Sequence, residues 1–117
     1  MLAEVYHFSP VKGLTMLIPK RPSHLNYCDI KGVYLALSLE MCKTWANALN
    51  IEKYWEPPFY IYKGLADINI LRKIVAIDPD CENWKLQRIS PKDIESDLDQ
   101  VVGIKEIVVK EIEIYIP

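Results

Sequence analysis

The sequence predicts an α+β domain with mainly antiparallel, split β-sheets and about three short helices. The inferred strands crowd towards the C-terminal half, whereas a parallel α/β fold would alternate strands with helices. The 117 residues are enough for one domain and too few for two. Half of the residues are hydrophobic and 26% are charged, which is typical of a globular chain. We therefore interpret residues 1–117 as a single domain.

Charge disfavours one functional class. The formal net charge is −2 and the isoelectric point is about 5.7. A protein that binds nucleic acid mainly through its phosphates is usually basic, so that class is disfavoured. The opening letters MLAEVYHF lack the basic region of a signal peptide, and no apolar run reaches the ~18 residues of a membrane span. We expect a cytoplasmic protein without membrane contacts.

The cysteines support the same location and predict no metal site. Cys28, Cys42 and Cys81 are widely spaced and form no CxxC pair, which favours reduced thiols. His24 and Cys28 are four residues apart, but two ligands without a second pair are too few for structural zinc.

The chain is organised around residues 31–46, KGVYLALSLEMCKTWA, which predict a strand followed directly by a helix. Residues 33–37 are apolar and β-prone. Ser38 stands where an N-cap residue is preferred. Apolar residues then recur at helical spacing, namely Leu39, Cys42, Ala46 and Leu49. Tyr34 therefore lies near the start of a strand, beside Gly32, which allows close backbone approach.

Residues 3–8 predict a first strand, and Ser9-Pro10 then predicts a helix N-terminus. Gly13 weakens this short helix and Pro19 ends it. His7 would lie at the end of a strand just before backbone N–H groups that face outward. A strand histidine bonded to backbone is the plainer interpretation of His7, and an ordinary strand aromatic is the plainer interpretation of Tyr34.

The rest of the chain predicts further strands and one more helix. The letters FYIYK of residues 59–63 are β-prone, and residues 65–71 fit either a helical turn or a continued strand. Ser90-Pro91 predicts another helix start. The remaining predicted strands are residues 72–77, 84–89 and 101–116, the last with a bulge or turn near Lys110.

Three pieces in this order resemble the ADP-ribosyltransferase superfamily, in the branch with a His-Tyr-Glu triad. Residues 6–9, YHFS, are similar to its Y-H-G-[ST]. Residues 31–35, KGVYL, are similar to the G-x-Y-[FL] that precedes a helix in poly(ADP-ribose) polymerases and rifampin ADP-ribosyltransferases. Residues 105–109, KEIVV, are similar to the N-E-[YF]-x-V strand that carries the polymerases' catalytic glutamate.

The resemblance implies a fold with a central cleft, and an enzyme that takes NAD as its substrate and needs no metal. Such enzymes cleave the bond between nicotinamide and ribose through an oxocarbenium-like transition state. Glu106 would stabilise the developing positive charge. Tyr34 would stack on nicotinamide. His7 would hydrogen-bond the adenosine-side ribose, and Ser9 would help to hold it.

The sequence departs from the family at two positions. Phe8 stands where the family has a glycine whose backbone holds the nicotinamide amide, and its side chain either turns away or fills the pocket. Lys105 replaces the commoner polar residue before the glutamate. Glu111, Glu113 and Asp78 are alternative positions for the acid. The alternative, purely structural interpretation of Glu106 is that its charge opposes aggregation of the apolar strand that follows it.

The resulting hypothesis is an NAD-dependent ADP-ribosyltransferase that releases nicotinamide and modifies an unidentified protein, nucleic-acid or small-molecule acceptor. Its alternatives are an NAD glycohydrolase and a binding module that keeps the fold without catalysis. An RNA 2′-phosphotransferase is a weaker hypothesis, because that family uses additional Arg and His residues and this chain has two histidines.

Overall fold

The structure is a computed structural model that describes residues 1–20, 30–76, 84–96, 98 and 100–117. Within them lie eight strands, two α-helices and one 3-10 turn at Ile68–Ile70. The strands are β1 Leu2–Ser9, β2 Met16–Leu17, β3 Val33–Leu35, β4 Phe59–Asp67, β5 Leu71–Ala76, β6 Trp84–Arg88, β7 Val101–Gly103 and β8 Ile107–Tyr115. The helices are α1 Leu39–Ile51 and α2 Pro91–Glu95.

The strands form two antiparallel four-stranded sheets, which confirms the predicted α+β class. Sheet I has the order β1-β4-β8-β2, and sheet II has the order β3-β7-β5-β6. Every pairing between named strands is antiparallel. β1 and β3 are therefore edge strands of different sheets, and the place where they meet forms the candidate site.

One core lies between the sheets and a smaller one lies under α1. Val5 and Tyr62 of sheet I pack in one buried cluster with Leu71 and Val101 of sheet II. Ile61 belongs to a second cluster, with Ala36 and Cys42. Because successive strand residues face opposite sides, Ile61 and Tyr62 show that α1 covers the outer face of sheet I.

The local signals of α1 and α2 are confirmed. The Ser38 hydroxyl accepts a hydrogen bond from the Met41 N–H at 3.1 Å, and Cys42, Ala46 and Leu49 are buried. A cap of this kind is worth about 1 kcal/mol. In α2 the Ser90 N–H donates to the Asp93 carboxylate at 2.7 Å, and Pro91 occupies the first turn.

The predicted helix after Ser9-Pro10 is wrong. Residues 10–20 contain no helix, and Met16–Leu17 instead pairs with Val108 and Ile107 of β8. Gly13 has a φ of +80°, a value outside the helical region. Long-range pairing with β8 has overridden a local start signal, so the described residues contain two α-helices, one fewer than predicted.

The predicted C-terminal strand is two strands. β7 and β8 are separated by residues 104–106, so the turn lies before Lys110. β8 has an extra residue, Ile112, because the register moves from Tyr62 opposite Glu111 to Ile61 opposite Glu113. Residues 65–71 combine both alternatives, since β4 continues to Asp67 before the 3-10 turn.

Candidate functional site at the junction of the two sheets

A pair of backbone hydrogen bonds links β1 of sheet I to the residue that follows β3 of sheet II. The Tyr6 N–H donates to the Ala36 carbonyl at 2.9 Å, and the Ala36 N–H donates to the Tyr6 carbonyl at 2.8 Å. This is an isolated bridge between β1 and the residue that follows β3. The next residue of β1, His7, therefore lies at the point where the two edge strands meet.

His7 and Tyr34 are brought together at this junction. The His7 Nδ1 lies 2.9 Å from the Tyr34 carbonyl oxygen. A carbonyl only accepts, so Nδ1 carries the proton, and in the neutral ring Nε2 is then an acceptor. The contact fits both interpretations of His7. It is a hydrogen bond to a backbone carbonyl, and that carbonyl belongs to Tyr34, the second residue of the His-Tyr-Glu resemblance.

Tyr34 is held at both ends. Its backbone lies opposite Val102 in the β3–β7 ladder, and its hydroxyl donates to the Ile30 carbonyl at 2.7 Å. The half-buried ring is therefore fixed in orientation before any ligand arrives, which reduces the entropy lost on binding.

A cavity of about 370 Å³ opens beside these two residues, between β1, the β3–α1 connection and α1. Its size is in the range of small-molecule pockets. Six aromatic rings in addition to His7 contribute to its lining: Tyr6, Phe8, Tyr34, Trp45, Tyr54 and Trp55. We call this cavity the junction pocket.

Phe8 lines the junction pocket and also packs against aromatic neighbours. Its ring lies 5.7 Å from the Trp55 ring and 5.9 Å from the Phe59 ring, both in edge-to-face geometry. Such pairs add about 0.5–1.5 kcal/mol beyond area burial. The aromatic side chain at the family's glycine position is thus part of the pocket wall.

The C-terminal end of α1 supplies another part of the wall through a left-handed turn. Lys53 has a φ of +60°, the Tyr54 N–H donates to the Leu49 carbonyl at 3.0 Å, and the Lys53 N–H donates to the Asn50 carbonyl at 3.1 Å. This is a Schellman motif in which lysine takes the usual place of glycine. Glu52, Tyr54 and Trp55, on either side of Lys53, line the junction pocket.

The electrostatics of the junction pocket are simple. Among its described lining residues, Glu52 is the sole Asp, Glu, Lys or Arg. Cys42 also lines it, and burial, with a smaller contribution from Glu113, raises the pKa of the thiol to about 12. Cys42 is therefore a neutral thiol at physiological pH and not a nucleophilic thiolate.

Ser9 ends β1 without helping to line the described part of the junction pocket. It is buried, and its hydroxyl accepts a hydrogen bond from the Val11 N–H at 3.1 Å. It therefore stabilises the turn after β1, in place of the helix that the sequence predicted.

Glu106 lies elsewhere. It is an exposed residue of the turn between β7 and β8, one residue before β8, and not a residue of the strand itself. It lines a shallow depression together with Lys31 and Lys105, which we call the turn depression; the other lining residues are Ile18, Pro19 and Ile104. Glu106 is not among the described residues that line the junction pocket.

The strand registers relate Glu111 to His7, although Glu111 too is absent from the described residues that line the junction pocket. The strand registers place His7 opposite Tyr62, and Tyr62 opposite Glu111, so the three residues form one row across the inner face of sheet I. Two strand spacings separate His7 from Glu111, roughly 10 Å. The Glu111 Oε1 is buried without a hydrogen-bond partner among the described residues, whereas Glu113 pairs with Lys43 at 2.9 Å.

The remaining alternatives from the sequence lie outside the described residues: Asp78 as the acid, and His24 with Cys28 as a ligand pair. Within the described ranges, no group of three or more His, Cys, Asp or Glu side chains is close enough to hold a metal ion. No helix of the same ranges has the length and apolarity needed to cross a membrane.

Sequence reasoning singled out three residues of the junction pocket, His7, Phe8 and Tyr34. It missed those from α1 and the turn after it, of which Trp45, Glu52, Tyr54 and Trp55 are used below. The available signal was a set of three large aromatics, one within the helix and two just after it.

No known protein family, curated protein or solved structure matches the chain.

Proposed function

We propose that the protein is an NAD-dependent ADP-ribosyltransferase and that the junction pocket receives NAD. The observation that carries the proposal is the 2.9 Å contact between the His7 Nδ1 and the Tyr34 carbonyl. Two pieces of the resemblance, 27 residues apart in the chain, meet beside one pocket.

The pocket residues have roles that suit NAD. The Tyr34 ring, fixed through its hydroxyl, offers a flat surface for stacking the nicotinamide ring. With the proton on Nδ1, the His7 Nε2 accepts a hydrogen bond from a ribose hydroxyl. Phe8 stands where the ADP-ribosyltransferases have a glycine. Its side chain narrows the side of the pocket where a glycine would leave the backbone accessible to nicotinamide.

In the proposed reaction, the bond between the ribose C1 and the nicotinamide nitrogen breaks, and its electron pair leaves with nicotinamide. An acceptor nucleophile bonds to C1 and loses its proton. A carboxylate stabilises the positive charge that develops on the ribose. The resemblance assigns this role to Glu106, and the row shared with His7 together with the unpaired Oε1 makes Glu111 the alternative. Neither carboxylate is among the described residues that line the junction pocket.

The test is nicotinamide release from NAD by the purified chain, with and without cell lysate, and with mass spectrometry for ADP-ribose on an acceptor. We expect release that depends on lysate and falls by roughly 100-fold or more when the essential carboxylate becomes an amide. The variants are Glu106→Gln and Glu111→Gln. The exposed Glu95→Gln of α2 serves as the matched control and keeps full activity.

The outcomes separate the alternatives. Release without lysate identifies an NAD glycohydrolase. Release that survives both Glu106→Gln and Glu111→Gln rejects both carboxylate assignments. Absence of release under every condition rejects the transferase.

A second candidate function is a binding module that keeps the fold without catalysis. The position of Glu106 in the turn depression, away from the described lining of the junction pocket, favours it. This candidate predicts a saturable ligand in the junction pocket and no NAD cleavage. Calorimetry with NAD on the same samples distinguishes binding without turnover from absence of binding.

A further inference from the structure

Four side chains from α1 and the turn that ends it line the junction pocket. Trp45 comes from the helix, and Glu52, Tyr54 and Trp55 come from the turn that ends it. We propose that these four side chains, the helix-end subsite, bind a quaternary or methylated ammonium group. The inference depends on these four residues and not on the proposed ADP-ribosyl transfer.

The first argument is chemical complementarity. The faces of Trp and Tyr rings carry negative partial charge and attract organic cations. A methylated ammonium donates few or no hydrogen bonds, so aromatic walls surround it without leaving donors unpaired. Three rings and one carboxylate that line the same cavity match this chemistry.

The second argument is the sign of the charge. Glu52 is the sole Asp, Glu, Lys or Arg among the described lining residues of the junction pocket. An isolated carboxylate beside aromatic rings attracts a cation and repels phosphates and carboxylates. The helix-end subsite therefore favours the cationic part of a ligand, and any anionic part lies outside it.

The third argument is the conformation of the turn. Lys53 is in the left-handed region, which lysine rarely adopts, and it is the sole non-glycine residue with positive φ among those described. Its two neighbours, Glu52 and Tyr54, line the junction pocket, whereas Lys53 does not. The turn thus presents an acid and an aromatic ring to the pocket while keeping the intervening ammonium out of it.

The helix-end subsite is accessible to a methylated ammonium group from either of two sources. Trp45 is 39% exposed and Tyr54 is 52% exposed, so the subsite opens to solvent. A free small molecule of the choline type and a trimethylated lysine of a peptide both present a quaternary ammonium. The experiment below separates these sources.

The experiment is a titration of the purified full chain, followed by tryptophan fluorescence and calorimetry. The probes are choline and its neutral isostere 3,3-dimethylbutan-1-ol, and a peptide with trimethyllysine beside the same peptide with unmodified lysine. We expect the cation to bind about tenfold more tightly than its isostere. Tighter binding of the trimethyllysine peptide than of choline would identify a protein source, and the opposite order a free small molecule.

Variants locate the binding. Glu52→Gln should weaken binding of the cation several-fold and leave the isostere unchanged, because only the charge is lost. Trp45→Leu should weaken binding while keeping α1, since leucine is a good helix former. Glu56→Gln, an exposed residue outside the pocket lining, is the matched control and should bind like the parent chain. Circular dichroism checks that each variant is folded.

Equal affinity for choline and its isostere, or no saturable binding of either cation, would overturn the proposal. The same samples are assayed for NAD cleavage. Cation binding without NAD cleavage rejects the transferase alone, and NAD cleavage without cation preference rejects the helix-end subsite alone.

Discussion

The junction pocket and the turn depression differ in how the chain builds them. The junction pocket forms where the edge strands β1 and β3 meet, with six aromatic rings and a helix around a cavity of about 370 Å³. The turn depression lies beside the β7–β8 connection and combines apolar residues with Lys31, Lys105 and Glu106. The predicted site residues His7, Phe8 and Tyr34 thus line the junction pocket, whereas the predicted acid Glu106 lines the turn depression.

This difference follows from the elements that carry the residues. Backbone hydrogen bonds of the β-ladders and of the Tyr6–Ala36 bridge hold the strands that carry His7 and Tyr34. These bonds fix the backbone positions from which the two side chains project. Glu106 is placed by a turn, whose backbone has fewer such constraints. The positions of His7 and Tyr34 on the edge strands are therefore more tightly constrained than the position of Glu106 in its turn.

The largest expected effect concerns Gly32, which lies between Lys31 of the turn depression and Tyr34 of the junction pocket. A Cβ at Gly32 would overlap the Val102 Cγ1 and would lie 3.2 Å from the Gly103 carbonyl oxygen. Gly32→Ala should lower the free energy of unfolding by about 3 kcal/mol, because Val102 is fully buried and must shift. Urea denaturation measures it.

The control for that substitution is Gly13→Ala. Gly13 has a φ of +80° and open space around its added Cβ, so only backbone strain of about 1 kcal/mol is expected. Equal losses in the two variants would contradict the tight packing of β3 on β7.

The next effect concerns Tyr62, between His7 and Glu111 in the cross-strand row. Its hydroxyl donates to the Val11 carbonyl and accepts from the Leu14 N–H. Tyr62→Phe should lower the free energy of unfolding by about 2 kcal/mol, because two backbone groups lose their partner. Ligand affinity of the junction pocket should stay unchanged, and a parallel loss of affinity would show that the row and the pocket are coupled.

A smaller effect of opposite sign is expected at the turn of the helix-end subsite. Lys53→Gly removes the strain of a lysine with a φ of +60° and should raise the free energy of unfolding by up to about 1 kcal/mol. Thermal unfolding measures the change. A destabilised variant would mean that the Lys53 side chain makes contacts that outweigh the backbone strain.

The smallest effect concerns α2. No residue of α2 is among the described lining of the junction pocket or the turn depression, so a substitution there tests the stability of the fold apart from both. The Ser90 backbone N–H, with help from the Lys73 ammonium, lowers the pKa of Asp93 from 3.8. A carboxyl with a lowered pKa stabilises the fold above its unfolded-state pKa and loses that contribution as the pH falls through the folded-state pKa. Asp93→Asn should therefore be less stable than the parent chain at pH 7.

The stability difference between Asp93→Asn and the parent chain should shrink as the pH falls below about 4. Urea denaturation at several pH values measures this change. A difference that stays constant with pH would show that the Asp93 charge has no part in the capping of α2.

Much of this fold could be predicted from local signals. The Ser38 cap and the apolar spacing of residues 39–49 predicted α1, and Ser90-Pro91 predicted α2, because these signals act within one helical turn. Ser9-Pro10 carries the same start signal and yet begins no helix. There Met16–Leu17 pairs with β8, some 90 residues away, and local propensity does not report such pairing.

The candidate site shows the same division. Tyr34 and His7 could be singled out because each stands in a short motif on a predicted strand. Trp45, Glu52 and Trp55 were missed, because their place in the pocket depends on α1 packing against β1. The turn that contains Glu106 was predicted as part of a strand, since residues 101–116 combine a continuous apolar run at 107–109 with alternation from Glu111 to Ile116.

The most direct test of the account is calorimetric titration with NAD of the parent chain, Tyr34→Leu, Tyr34→Phe and Lys31→Met. The account predicts saturable binding that Tyr34→Leu weakens at least about tenfold, since stacking of this kind is worth about 1–3 kcal/mol. Tyr34→Phe keeps the ring, and Lys31→Met alters only the turn depression, so both should retain most of the affinity. Binding lost in Lys31→Met but kept in Tyr34→Leu, or no NAD binding by the parent chain, would contradict the central claim.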